Sequence, residues 1–217
     1  DANIDCRNGK FNLAGSCSDD CVHRLDSMKN SVVEMINSHI RSDTQLGLMS
    51  FSSDATHDAY LTFDHSLVKT EVNSMVADGG TDFTSSFKLL VDEFLPLSNR
   101  REHAKPVVVF LSDGHDNQWE DALSYRQTLI DAGVDIYTIK FASGETSPSL
   151  EALASDPSMY YQADTQDALT DVYKDIYNLY LDSSEDLIDP NTSRGFTLVI
   201  DPRISPAGHS ATPRIDC

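Results

Sequence analysis

The sequence predicts an α/β domain: a doubly wound, mainly parallel, Rossmann-like central sheet flanked by helices, with a C-terminal extension. Three observations carry this. Strand-length apolar runs alternate with segments of helical periodicity along most of the chain. Val107 to Leu111 is five apolar residues in a row, three of them valine, as a central strand buried on both faces requires. The 217 residues can bury one large core, and 40% hydrophobic with 24% charged usage is that of an ordinary globular chain.

Phe11 to Leu13 is a short first strand. Leu25, Met28, Val32, Met35, Ile36 and Ile40 then recur at three- and four-residue spacing, one face of a helix. Thr44 to Phe51 and Tyr60 to Phe63 are strands. Leu67, Val72 and Met75 mark a short helix, and Phe87, Leu90, Val91 and Phe94 a second, which ends before Pro96. After the valine-rich strand, Trp119, Ala122, Leu123, Leu129 and Ile130 trace the next helix, with Gly133 as its C-terminal cap. Ile136 to Phe141 is another strand. Pro148 sits in a first helical turn and opens a helix to about Ala154. Met159 to Gln162 is strand-like. Thr165 is the N-cap of a helix with Asp167 in its first turn. That helix turns Ala168, Leu169, Val172, Ile176 and Leu179 inward, and Tyr173, Tyr177 and Tyr180 form a second packing row. Beyond Leu181 the pattern changes. Asp182 to Ser193 is acidic and polar, Phe196 to Ile200 is one more strand-like run, and Pro202, Pro206 and Pro213 interrupt the rest. The expected organisation is a domain over 1–182 and an extension over 183–217 that packs on it.

Lysine and arginine number 16 against 35 aspartates and glutamates, a formal charge of −19. Phosphate-bearing partners would be repelled, so nucleic acid and anionic membrane are excluded as partner classes. Cations and basic surfaces suit the balance. No apolar run approaches the ~20 residues of a membrane span, so no membrane insertion is expected. No signal pattern opens the chain, and a processed chain is expected. The four cysteines, Cys6, Cys17, Cys21 and Cys217, show neither a Cys-x-x-Cys pair nor zinc spacing. An even count near termini and loops favours disulfides and an oxidising compartment, with three pairings open. Dinucleotide and phosphate-loop fingerprints are absent, and Gly15-Ser16-Cys17-Ser18-Asp19 fails as a nucleophile elbow at its last position. His23, His57, His65 and His103 are expected on the surface or in loops.

Ligands of an open α/β sheet bind beyond the carboxyl ends of its strands. Three segments should converge there: Ala14-Gly15-Ser16-Cys17-Ser18, Gly79-Gly80-Thr81-Asp82 and Ser112-Asp113-Gly114. Their hydroxyls and carboxylates are hard oxygen donors of the kind that Mg²⁺, Mn²⁺ and Ca²⁺ take. Ser16, Ser18, Thr81 and Asp113 are the candidate metal ligands. Asp82, His115 and Asp116, in the same loops, are candidate partner contacts.

These motifs, in this order and on these elements, resemble the von Willebrand factor type A domain (the integrin inserted-type domain) over about residues 9–181. The resemblance implies a metal-ion-dependent adhesion site, MIDAS. In the family it is built from an Asp-x-Ser-x-Ser loop after the first strand, a threonine in a Gly-Gly-Thr-like loop and an aspartate in a Thr/Ser-Asp-Gly loop. Ser16 and Ser18 match the serines, Thr81 the threonine and Asp113 the last aspartate. Ala14 stands where the family has its first aspartate, and a methyl cannot hold a cation, so binding of Mg, Mn or Ca is expected to be weakened or absent. The resemblance further implies a secreted or cell-surface adhesion or interaction module, not an enzyme. Its partner would be a protein ligand presenting an acidic side chain to the metal. A terminal Cys6–Cys217 disulfide would resemble the closure of some family members and leave Cys17 with Cys21. The alternative is a metal-dependent, phosphatase-like hydrolase using Asp113.

Overall fold

The apolar spacing that opens at Leu25 becomes helix α1 (Arg24–Ser38), which buries Met28, Val32, Met35 and Ile36 along one stripe. The computed structural model describes residues 4–6, 21–76, 80–95, 106–113, 116, 118–185 and 194–202. Preceding α1, β1 (Ile4–Cys6) and β2 (Cys21–His23) form a separate antiparallel pair. After α1 come β3 (Thr44–Phe51) and β4 (Ala55–Thr62), then α2 (His65–Ser74). The Asp64 carboxylate caps α2 by accepting the Ser66 and Leu67 amides, donors that a helix start cannot satisfy internally. Helix α3 (Phe83–Leu89) runs on into a π-helical turn, Leu90–Phe94. Strand β5 (Pro106–Ser112) is buried at every residue, as its unbroken apolar run requires. A 3-10 turn, Trp119–Ala122, feeds α4 (Leu123–Asp131), and Gly133 closes it with φ +80°. The remaining elements are β6 (Asp135–Phe141), α5 (Pro148–Leu153), β7 (Tyr160–Ala163), α6 (Gln166–Glu185) and β8 (Arg194–Ile200). The Thr165 hydroxyl accepts the Ala168 amide at 3.2 Å, so the expected N-cap of α6 is in place.

The six main strands lie in the order β4-β3-β8-β5-β6-β7. Only the edge strand β4 is antiparallel to its neighbour. The last strand among the described residues is therefore a central one. Leu48 pairs with Leu198 on one side of β8, and Val109 pairs with Leu198 on the other. The strand-like run expected at Phe196 to Ile200, within the segment expected as an extension packing on the domain, is thus β8, between β3 and β5. Phe196, Leu198, Val199 and Ile200 are each fully buried, and that burial is available only between two strands and two helical layers. The strand expected at Phe11 to Leu13 lies outside the described residues.

Two apolar layers cover the sheet. On one face α1, α2 and α6 pack Met28, Val68, Leu169, Tyr173 and Ile176 against Leu46, Val109, Leu111 and Leu198. On the other, α3, α4 and α5 pack Phe83, Phe87, Leu129 and Leu150 against Phe51, Val108, Phe110 and Val199. Phe110 is the hub there, stacked on Phe51 at 4.9 Å and edge-on to Phe83 at 5.2 Å. The tyrosine row of α6 is buried as expected, but Leu179 is 49% exposed rather than inward. Its position falls outside the arc that faces the sheet. His57 and His65 also depart from expectation. His57 is half-buried on β4 against the Tyr60 ring, and the His65 Nε2 lies 2.8 Å from the Thr44 carbonyl oxygen.

Candidate functional site

The C-terminal ends of β3, β8 and β5 lie side by side because all three strands run the same way. The β5–β8 register pairs Leu111 with Ile200, which sets Ser112 beside Asp201. The Asp201 amide donates to the Leu111 carbonyl at 2.9 Å and carries the ladder one step past the strand. The Ser112 hydroxyl donates to Asp201 Oδ2 at 3.1 Å. Thr81 Oγ1 donates to the same oxygen at 3.5 Å. Asp113 follows Ser112 and is also buried. A carboxylate with 1% exposure at a strand end is costly to hold without polar partners.

The loop that delivers Thr81 is pinned on both sides. The Gly80 amide donates to Ser53 Oγ at 2.7 Å, and a Cβ at Gly80 would sit 2.8 Å from that oxygen, so a side chain there would displace the hydroxyl that holds the loop. Asp82 is the N-cap of α3, its carboxylate accepting the Ser85 amide at 2.9 Å. Asp116 reaches across from the loop after β5. Its Oδ2 accepts the Phe83 amide and its Oδ1 the Gln118 amide, each at 2.8 Å. Asp82 and Asp116, expected as partner contacts, thus hold the loops that form the site.

Of the candidate metal ligands, the structure brings Thr81 into one place with Ser112 and sets Asp113 directly after it. Ser16, Ser18, Ala14 and His115 lie outside the described residues, as do Cys17 and Cys217. Asp201 was missed by sequence reasoning. Its signal was there to read: the apolar run Phe196 to Ile200 ends in an aspartate, as Val107 to Leu111 ends in Ser112-Asp113. Among the described residues no group of three or more His, Cys, Asp or Glu is placed to hold a metal. Two hydroxyls meet the Asp201 carboxylate here, with the buried Asp113 next in the chain after Ser112, oxygen donors of the kind a hard cation takes. A cavity of about 270 Å³ opens on the same side, beyond β6 and β7, lined by Ser143, Gly144, Gln162 and Asp164 and not by Thr81, Ser112, Asp113 or Asp201. No helix among the described residues is long and apolar enough to cross a membrane.

The chain is similar in structure to proximal thread matrix protein 1 from the mussel byssus, at 18% identity and a TM-score of 0.61, over 72% of this chain and 42% of that one. It thus spans about two fifths of that protein's length. A second structure of the same protein, with a zinc-occupied MIDAS motif, matches at 22% identity and a TM-score of 0.58, over 70% and 39%. The vWF domain of the type V pili tip protein Mfa5 from Porphyromonas gingivalis matches at 10% identity and 0.58, over 74% and 88%. The pilus adhesin SpaC from Lactobacillus rhamnosus GG matches at 13% identity and 0.55, over 74% and 27%. No curated protein matches the chain. The family model of the von Willebrand factor type A domain matches residues 17–175, ending before β8. With that match over most of its length and a mainly parallel six-stranded sheet covered on both faces, the chain belongs to the von Willebrand factor type A domain family.

Proposed function

We propose that the chain is an extracellular or cell-surface adhesion module, non-enzymatic, whose loops at the ends of β5 and β8 and before α3 bind a protein partner. The observation that carries this reading is the convergence of the Ser112 and Thr81 hydroxyls on Asp201 Oδ2. Asp201, Ser112, Thr81 and Asp113 are the residues that would hold a divalent cation, Mg²⁺, Mn²⁺ or Ca²⁺. When bound, the cation supplies a coordination position for an acidic side chain of the partner. The pinned loops keep the Thr81 hydroxyl aimed at the site, so little ordering is left for the moment of binding.

Asp201 stands, in this reading, where the family has its first aspartate, and Ala14 does not weaken the site. The sequence supports this in part: Ser205 follows Asp201 at the spacing of the last serine in Asp-x-Ser-x-Ser, whereas Arg203, at the middle serine's place, has no oxygen to offer a cation. The similarity to a protein with a zinc-occupied MIDAS and to two pilus proteins supports the same reading.

Calorimetric titration of Mg²⁺, Mn²⁺ and Ca²⁺ tests it. The unaltered protein is expected to bind at least one ion. Asp201→Ala is expected to lose at least about tenfold in affinity while keeping its circular dichroism, because hard cations need charged oxygens to replace their water. Ala14→Asp is expected to change little. Binding that survives Asp201→Ala but strengthens in Ala14→Asp would return the site to the N-terminal loop.

A further inference from the structure

We propose that Cys6 and Cys21 form a disulfide that staples β1 to β2 at the entrance of α1. The backbone register carries this. Ile4 stands opposite His23, Asp5 opposite Val22 and Cys6 opposite Cys21 in an antiparallel pair. Residues directly opposite in such a pair have Cα atoms about 4.5–5.5 Å apart and side chains on the same face. A disulfide needs Cα atoms about 4.4–6.8 Å apart. The other pairings of the four cysteines have no comparable register among the described residues.

The pair also needs a staple. β1 and β2 have three residues each and lie outside the six-stranded sheet. An isolated two-stranded ribbon of that size is marginal in water. A bond from Cys6 to Cys21 closes a ring over residues 7–20 and removes the freedom of that loop from the unfolded chain. Cys17 then lies inside the ring, left to Cys217 or to a free thiol.

The staple bears on the site through α1. Helix α1 ends at Ser38 and β3 starts at Thr44, so the helix runs antiparallel to β3. Its first turn is therefore at the strand-end face, and β2 leads straight into it. Tying β2 down fixes where α1 begins. Ser31 of α1 in turn donates to the Gln166 carbonyl at the start of α6, at 3.0 Å.

Formation is thiol–disulfide exchange with a small disulfide oxidant, oxidised glutathione. One cysteine thiolate attacks a glutathione sulfur, the glutathione S–S bond breaks, and one glutathione leaves as the thiol. The second cysteine thiolate attacks the protein sulfur of the mixed disulfide and expels the other glutathione. Two electrons and the two cysteine protons end on two glutathione thiols.

Peptide mapping tests the proposal. The protein is made in an oxidising compartment or refolded with oxidised and reduced glutathione. It is then alkylated and cut with trypsin and a protease that cleaves before aspartate. Cuts after Arg7 and before Asp19 and Asp20 place Cys6, Cys17 and Cys21 on three separate peptides. The expected product joins the Cys6 peptide to the Cys21 peptide and falls apart on reduction. Cys17→Ser is expected to keep that link, and Cys21→Ser to turn Cys6 from blocked to fully alkylated. Cys6 joined to Cys17 or Cys217, Cys17 joined to Cys21, or alkylated Cys6 and Cys21 in the unaltered protein would overturn it.

Discussion

The Ser112 hydroxyl and the Asp201 carboxylate meet at 3.1 Å although 89 positions separate them in the chain. That bond exists because β8 lies beside β5, in register from Pro106 with Gly195 to Leu111 with Ile200. The site and the centre of the sheet are therefore one structural fact. Whatever removes β8 removes both.

The seat of β8 against β3 is tested at Gly47. A Cβ there would lie 3.2 Å from Thr197 Oγ1 and 3.4 Å from the Ala59 carbonyl. Gly47→Ala is expected to destabilise by about 1–3 kcal/mol in denaturant unfolding, the range of overpacked cores. Adding Thr197→Ala removes the nearer atom. The two changes should then couple by about 0.5 kcal/mol or more, as contacting residues do. Strict additivity would count against the placement of the last strand.

Asp116 acts on the site through the backbone it holds. Asp116→Ala leaves the Phe83 and Gln118 amides without their acceptor. A loss of about 1–2 kcal/mol in stability is expected, as for a removed helix cap. Hydrogen exchange at the Phe83 amide should speed up by at least the same factor. Asp116→Asn, which keeps an acceptor oxygen, should recover part of the loss.

The α6 tyrosines predict opposite outcomes for one substitution. Tyr177 takes the Arg41 amide at 3.0 Å and shares a hydrogen bond with Thr44 Oγ1 at 2.9 Å. Tyr173 is fully buried, and its hydroxyl finds no hydrogen-bond partner among the described residues. Tyr177→Phe should cost about 1–2 kcal/mol, whereas Tyr173→Phe should be neutral or stabilising by up to about 1 kcal/mol. Thermal unfolding of the two variants side by side measures the difference.

A pH signature follows from two neighbours on β4. Burial pushes the His57 imidazole below its usual value, against the pull of Glu93. Burial pushes the Asp58 carboxyl up, with the Ser50 hydroxyl opposing it. For His57 the folded state holds fewer protons than the unfolded state just below the usual imidazole value. Stability should fall as pH drops through that window, and His57→Gln should remove the slope. For Asp58 the folded state holds protons to a higher pH than the unfolded state. Its cost is present at neutral pH and is relieved as pH falls through the raised value. Asp58→Asn should therefore be stabilising at pH 7, with the gain shrinking towards pH 4. Urea midpoints from pH 4 to 8 check both signs.

Periodicity and composition determined most of the elements and their order. Helical spacing from Leu25 to Ile40, the apolar run at Val107 and the cap signals at Thr165 and Gly133 are local properties, set by which side chains repeat on one face and which backbone angles a residue tolerates. Ser112 and Asp113 were legible for the same reason, since loops after strands must lie at the strand ends, and Thr81 was legible through its Gly-Gly-Thr loop before a helix. The neighbours of Phe196 to Ile200 were not. An apolar pentapeptide carries no record of which strands it will pair with, and its place after a polar stretch made it read as an appendage. Pairing is decided by which slot can bury both its faces at once, and only the assembled sheet has that slot. The same non-local fact put Asp201 in the site, and a separate pairing, of β1 with β2, put Cys6 opposite Cys21.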